Sequence, residues 1–428
     1  MISVKEAREL VKLHTPKPRI QSRSLVEIRG KILAENIHAT EQSPRFTNSA
    51  MDGVAVRFTE NVLEYRIIGE SAAGKPFLGI VNEGEAVRIS TGAVVPDSAN
   101  TVVPSEDYDI RNDEVSEIVC IKNTPKTSQW IRTAGSEYLQ GACVLKQGIE
   151  LRPAHIALAA QLGLQTLSVF DAPRVALLAT GSEILSVVQD HHADPHPTLS
   201  QREKAFLRPL LPLGEGRGEG LDMGKIYDAN TPMLQAAVRD AGAKVILMHH
   251  IEDTLESTIH ELSEAMQIAD IICTTGGVSV GEHDFVKQAA QTLGFETIFW
   301  RVRQKPGKPL FFAKRGNTLL FGLPGNPVST LMCFLQYVQP VIASMLGRKH
   351  LWKTLEARMS TALMNTGGRA EFVRVQLDFS QKNQPPTAIP LAKQESFMLT
   401  SLTEADGFVF LDIDAEIYND AMVEVMLF

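Results

Sequence analysis

The chain has 428 residues, 44% of them hydrophobic and 21% charged, with a net charge of −8. That length exceeds one ordinary core and predicts several domains. The acidic balance, with no basic stripe to offset it, argues against a nucleic-acid partner.

The N-terminus, MISVKEARELVKLH, carries charges every few residues and no apolar h-region, so it does not read as a signal peptide. No apolar run reaches the roughly 18 residues of a membrane helix, so no membrane partner and a cytoplasmic location are expected. The four cysteines, Cys120, Cys143, Cys273 and Cys333, form no CxxC pair and read as buried reduced thiols.

In chain order, residues 3–14 have helical apolar spacing. From about 27 to 142, short β-branched runs (YRIIG, AVRIS, NTVVP, EIVCIK) alternate with Gly, Pro, Asn and Asp, the pattern of an all-β module. Residues 153–164 return to a helix, with Pro153 in its first turn.

From about 172 strands and helices alternate. RVALLAT, KVILMHH, ADIICTT and TLLFGL read as strands. TPMLQAAVRDAG, LESTIHELSEAMQ, HDFVKQAAQTLG and PVSTLMCFLQYVQPVIASML read as helices, the first capped by Asn230 or Thr231 and ended by Gly242. Such βα units predict a mostly parallel sheet with helices on both faces. FVRVQLDF, GFVFLDI and MVEVMLF predict a small C-terminal β domain. Residues 186–221 are rich in Pro, Gly, Glu and Arg without any period and predict a mobile, exposed insert. His191, His192 and His196 lie within it, on no fixed scaffold for a metal.

Open α/β sheets bind ligands beyond the carboxyl ends of their strands. There the sequence places Gly181-Ser182-Glu183, the run from Gly276 to Asp284 with Gly277, Ser279 and Gly281, and Pro324-Gly325-Asn326-Pro327. Lys305-Pro306-Gly307-Lys308-Pro309 lies between the last two. Glycine-rich turns and two lysines on one edge predict an anion cradle, since backbone N–H groups and lysines both favour phosphate. Glu183, Asp253 and Asp284 are candidate ligands for a hard cation such as Mg²⁺. A glycine turn after a strand is also, commonly, only a tight connection, a lone carboxylate is usually solvated, and GGVSVG matches no nucleotide-binding motif.

Together these segments resemble the molybdopterin molybdenumtransferase family, MoeA and the E domain of gephyrin. SAMDGVAV, RISTGAVVP, RVALLATGSE, GKIYDAN, TTGGVSVGEHD, KPGKP, GLPGNPVS, GGRAEF and SLTEADGFVFL follow in the family's order and cover nearly all of the chain except 186–221. The resemblance implies a multidomain α/β plus β fold. Its parts are a discontinuous elongated region (1–26 and 142–171), an all-β domain (27–141), an α/β molybdopterin-binding domain (172–347) and a C-terminal β-barrel (348–428). It also implies a homodimer with a site shared between subunits, and a molybdopterin adenylyltransferase and molybdoenzyme maturation proteins as partners. The implied reaction joins molybdate to adenylylated molybdopterin, releases AMP and uses Mg²⁺.

By motif position the resemblance assigns chemistry to Asp52, Thr91, Glu183, Asp253, Asp284 and Lys305, and substrate contact to Arg301, Lys308, Pro324 and Pro327. The chain departs from the family pattern at Val54 (usually Tyr), Ser182 (usually Asp), Glu137 (usually Asp) and Arg301 (Lys in some members). The alternative is a scaffolding homologue that keeps the fold and has weakened chemistry. A molybdopterin adenylyltransferase would share only the α/β region.

Overall fold

The computed structural model describes residues 1–112, 116–186, 223–278, 284–348 and 352–428. It divides into two compact units, one of residues 22–169 and one of residues 1–21 with 170–428. Residues 187–221 of the insert, with its three histidines, lie outside the described residues, as do Ser279 and Gly281.

In the 22–169 unit, six strands form one sheet: β1 (Gly53–Val56), β2 (Glu64–Ser71), β3 (Glu85–Ile89), β4 (Thr101–Pro104), β5 (Tyr108–Asn112) and β6 (Glu117–Ile121). Their order is β4-β1-β3-β2-β6-β5, antiparallel except for β2 with β3. Strand β1 is buried on both faces: Val54 and Val56 join one apolar cluster and Ala55 another. Val54 is therefore a core residue at the position where the family has tyrosine. Gly53 begins the strand directly after Asp52. A Cβ there would lie 2.0 Å from the Val103 carbonyl oxygen, so the close pairing of β1 with β4 admits only glycine. A second core, around Ile28, Leu33, Leu151 and Ala159, packs under the helix Pro153–Gln161.

The other unit begins with α1 (Val4–His14), whose start is a reciprocal cap. Glu6 N–H donates to Ser3 Oγ at 3.1 Å and Ser3 N–H to the Glu6 carboxylate at 2.7 Å. Its main sheet has strands β7 (Arg174–Thr180), β8 (Lys244–Ile251), β9 (Ile271–Thr275), β10 (Glu296–Trp300), β11 (Phe311–Arg315) and β12 (Thr318–Leu323). The order is β8-β7-β9-β12-β11-β10. The first four strands are parallel, and the sequence places them correctly because strands covered on both faces read as continuous apolar runs. The last two form an antiparallel edge that the sequence reading missed.

The intervening helices are α2 (Asn230–Asp240), α3 (Leu255–Ile268) and α4 (Val286–Thr292). The cap of α2 differs from expectation. Asp228 Oδ1 accepts from Asn230 N–H at 2.9 Å and Thr231 N–H at 3.0 Å, so the capping oxygen lies two residues earlier.

The long C-terminal helix of this sheet is split into α5 (Pro327–Cys333), a π turn (Phe334–Val338) and α6 (Gln339–Met345). Pro340 lacks an N–H and its ring crowds the carbonyl four residues earlier, which accounts for the irregular turn. The 19 residues Pro327–Met345 are long and apolar enough to cross a membrane, against the expectation from sequence. They are mostly buried, however, and form a core helix of this fold.

The C-terminal strands are Thr354–Met359, Ala370–Asp378, Thr387–Pro390, Gly407–Leu411 and Met422–Leu427. Each pairs with two neighbours, which closes a five-stranded barrel.

Of the four cysteines, all free, Cys273 and Cys333 are buried as expected, whereas Cys143 is exposed and Cys120 half-buried.

An ion-pair cluster ties the starts of β7 and β9 to the N-terminal segment. Asp270 receives both Arg19 guanidinium nitrogens at 2.7 Å, Arg174 N–H at 2.8 Å and Arg174 Nη2 at 3.1 Å. Burial would raise the Asp270 carboxyl, but the hydrogen bonds from Arg174 and Arg19 together outweigh it and hold it below the usual carboxylate value. A lowered folded pKa contributes stability that is complete above the unfolded value and is lost as pH falls through the folded one. Both arginines remain about two-fifths exposed, so Asp270→Ala should cost about 3 kcal/mol, the lower end for a broken buried pair. In thermal melts the gap between the native protein and Asp270→Ala should be full near pH 6 and narrow below about pH 4. A gap that does not change with pH would show that the charge is not what stabilises this corner.

Candidate active site

Four parallel strands end on one edge of the sheet, and a cleft of about 840 Å³ opens there. Its lining holds Gly181 and Glu183 after β7, Asp253 after β8, Gly276, Gly277 and Asp284 after β9, and Pro324, Gly325 and Asn326 after β12. The segment from Lys305 to Pro309 forms a further wall. Residues scattered over more than a hundred positions of sequence are thus brought to one place by the parallel topology.

The turns are built so that backbone approaches the cleft. Gly276 (φ +87°) and Gly277 (φ +65°) both occupy the left-handed region. A Cβ on Gly276 would lie 2.8 Å from Thr180 Oγ1, and one on Gly277 would lie 2.9 Å from Val286 Cγ2. Ser182 N–H donates to Asp253 Oδ2 at 2.7 Å, which joins the turn after β7 to the turn after β8. Asn230 Nδ2 donates to the Gly325 carbonyl at 2.7 Å, joining α2 to the Pro-Gly-Asn-Pro turn. Thr330 Oγ1 donates to the Pro324 carbonyl at 2.5 Å, bracing that turn from α5, which Pro327 begins.

Lys305 and Lys308 are exposed in the cleft wall. Lys305 Nζ lies 3.2 Å from the Glu371 carboxylate of the barrel. Arg301 is not among the lining residues. Its guanidinium carbon stacks 3.9 Å from the centre of the Trp300 ring, which also carries Lys287 Nζ at 3.3 Å. Desolvation and the neighbouring Arg301 push the Lys287 ammonium below its usual range, and Asp284 opposes that shift.

The cleft also contains residues to which the sequence reading gave no role. Asp228 and Asn230 belong to the IYDAN run, and Arg369 to GGRAEF. Gln394, Glu395, Ser396 and Phe397 come from a barrel loop. Asn326 Nδ2 donates to Ser396 Oγ at 2.9 Å, fixing that loop to the strand-end turn.

Among the described residues, no three His, Cys, Asp or Glu side chains gather closely enough to hold a metal ion by themselves. Glu183, Asp253 and Asp284, the candidate cation ligands, line the cleft but do not form such a group. Asp253 has already committed one oxygen to Ser182 N–H. The three carboxylates do line one cleft with Lys305 and Lys308.

Asp52 and Thr91 belong to the 22–169 unit and meet there. Thr91 N–H donates to Asp52 Oδ1 at 2.7 Å, and both side chains are exposed. Glu137, at the family's aspartate position, accepts from Ser43 Oγ at 2.6 Å.

Comparison with known proteins identifies the family. Three family models match: the MoeA N-terminal region (domain I and II) over residues 2–163, the "Probable molybdopterin binding domain" over 176–344 and the MoeA C-terminal region (domain IV) over 356–428. The molybdopterin molybdenumtransferase of Haemophilus influenzae is 31% identical over 96% of this chain and 95% of its own length. That of Staphylococcus aureus is 30% identical over 96% of this chain and 91% of its own. A solved molybdopterin biosynthesis MoeA protein from Pyrococcus horikosii superposes with a TM-score of 0.78 at 27% identity, covering 100% of this chain and 99% of that one. With three successive models spanning nearly all of its residues and relatives aligned almost end to end, the chain belongs to the molybdopterin molybdenumtransferase (MoeA) family.

Proposed function

We propose that this chain is a molybdopterin molybdenumtransferase, which takes adenylylated molybdopterin and molybdate, forms molybdenum cofactor and releases AMP. The observation that carries the reading is the convergence of glycine turns, lysines and carboxylates in one cleft at the strand ends. A substrate carrying a phosphoanhydride needs dense positive potential and N–H groups. Lys305 and Lys308 supply the charge, and the backbone of the turn at Gly277 faces the cleft, while the Gly276 N–H is already donated to the Leu323 carbonyl at 3.0 Å. Pro324, Gly325 and Asn326 form a further part of the cleft wall, ahead of the helix that Pro327 begins. Glu183, Asp253 and Asp284 are the residues that would share a Mg²⁺ with the phosphates, where the ion would offset charge on the anhydride. The chain's own part is to bind the phosphates, orient them and keep the carboxylates within reach.

Three further parts of the reading are proposals of the same standing. The chain works as a homodimer. An adenylyltransferase supplies the substrate. The setting is cytoplasmic, which four free cysteines suit. The reaction is tested by incubating the protein with adenylylated molybdopterin and molybdate. AMP and molybdenum cofactor should appear together, in equal amounts and dependent on the protein. AMP release without cofactor, or no AMP at all, would refute the assignment.

A further inference from the structure

The lysine-bearing wall of the cleft rests on a buried polar cluster that takes no direct part in the chemistry described above. Gln304, fully buried, immediately precedes the loop. Its Nε2 donates to the Pro306 carbonyl at 3.0 Å and lies 3.6 Å from Cys333 Sγ, while its Oε1 accepts from the Tyr337 hydroxyl. Cys333 Sγ in turn donates to the Gly307 carbonyl at 3.5 Å. Two successive loop carbonyls, on Pro306 and Gly307, are therefore held from beneath by side chains. The fit is tight, since a Cβ on Gly307 would lie 2.5 Å from Gln304 Nε2 and 2.6 Å from Cys333 Sγ.

The holding side chains come from the split helix. Cys333 ends α5, and Tyr337 lies in the π turn that follows. A π turn costs hydrogen-bond geometry and is found disproportionately where a side chain must be placed for function. Here it carries the phenol that fixes the orientation of the Gln304 amide. Burial pushes the Tyr337 phenol and the Cys333 thiol well above their usual ranges, so both stay neutral donors.

The two lysines themselves are exposed and on long flexible stems. Their grip on a phosphate depends on where the backbone puts them, and small displacements of such groups are costly. We propose that Gln304, Tyr337 and Cys333 form a buried lock whose task is to present Lys305 and Lys308 to the substrate's phosphates. They are positioning residues. The inference rests on the phosphate reading of the cleft given above.

The lock separates from mere stability through a double substitution. Gln304→Met strands the Tyr337 hydroxyl and the Pro306 carbonyl and should lower Tm. Adding Tyr337→Phe removes the stranded hydroxyl, so the share of the Tm loss that comes from the Tyr337–Gln304 bond should recover, while the share from the unheld Pro306 carbonyl remains. The loop carbonyl stays unheld in both. Inorganic pyrophosphate, titrated calorimetrically where both variants are folded, should therefore bind about tenfold more weakly to the double variant than to the native protein, a loss of about 1.4 kcal/mol. The KM for adenylylated molybdopterin should rise by more than kcat falls. Affinity that returns together with Tm, or that never falls, overturns the lock. Lys308→Ala is the separate control. If it leaves pyrophosphate binding unchanged, or if the native protein binds none, the phosphate reading of the loop is what fails.

Discussion

Asp284→Ala should lower kcat about 10²-fold, the scale of removing one electrostatic contact that matters in the transition state. Asp284 lines the same cleft as Glu183, Asp253, Lys305 and Lys308, directly ahead of α4. Its charge reaches Lys287, whose ammonium it helps to keep protonated. It is half-buried and not part of an apolar cluster, so the loss of stability should stay within about 1 kcal/mol. Asp253→Ala makes the instructive contrast. It also removes the bond to Ser182 N–H that joins the turns after β7 and β8, so the placement of Glu183 should loosen and activity should fall further than in Asp284→Ala. If Asp284 shares a cation with substrate phosphate, the Mg²⁺ concentration for half-maximal turnover should also rise in Asp284→Asn. Unchanged turnover in a folded Asp284→Ala protein removes the residue from the site.

The parts of this site that sequence makes visible are those governed by local rules. Parallel strands buried on both faces announce themselves as RVALLAT and ADIICTT, and the polar residues just past them must lie on one edge once the strands are parallel. Glu183, Asp253, Asp284, Gly276, Gly277 and the Pro324–Pro327 run were reached in this way, or by motif order. Arg369 and Gln394 to Phe397 were not, because no periodicity states where a barrel loop will dock. Gln304 and Tyr337 escaped for a different reason. One sits beside a motif and the other in an apolar helix, and only packing shows that they touch. The edge hairpin of β10 and β11 escaped because its strands flank the lysine motif, which reads as a loop between helices. Glu183, Asp253 and Asp284 share the edge and line the cleft without gathering into a closed three-carboxylate group. Ser279, Gly281 and residues 187–221 fall outside the described part of the chain.

Mixing an Asp52→Ala chain with an Asp284→Ala chain should restore activity that neither shows alone. The motive is that Asp52 and Thr91 form their own exposed pair, 2.7 Å from carboxylate to N–H, in the 22–169 unit, whereas Asp284 belongs to the other unit. If each site of a two-fold dimer draws on Asp52 from one chain and Asp284 from the other, a heterodimer holds one intact site and one doubly damaged site. Random exchange makes half of the dimers hetero, so the mixture should reach about a quarter of native activity. If both residues serve within one chain, every site in every dimer carries one lesion and mixing restores nothing. Subunit exchange must be verified separately, by recovering an untagged chain with a tagged one. Exchange without rescue would place Asp52 and Asp284 in the same chain's reaction. Chains that stay monomeric, yet are active when unmutated, would remove the homodimer from the proposal altogether.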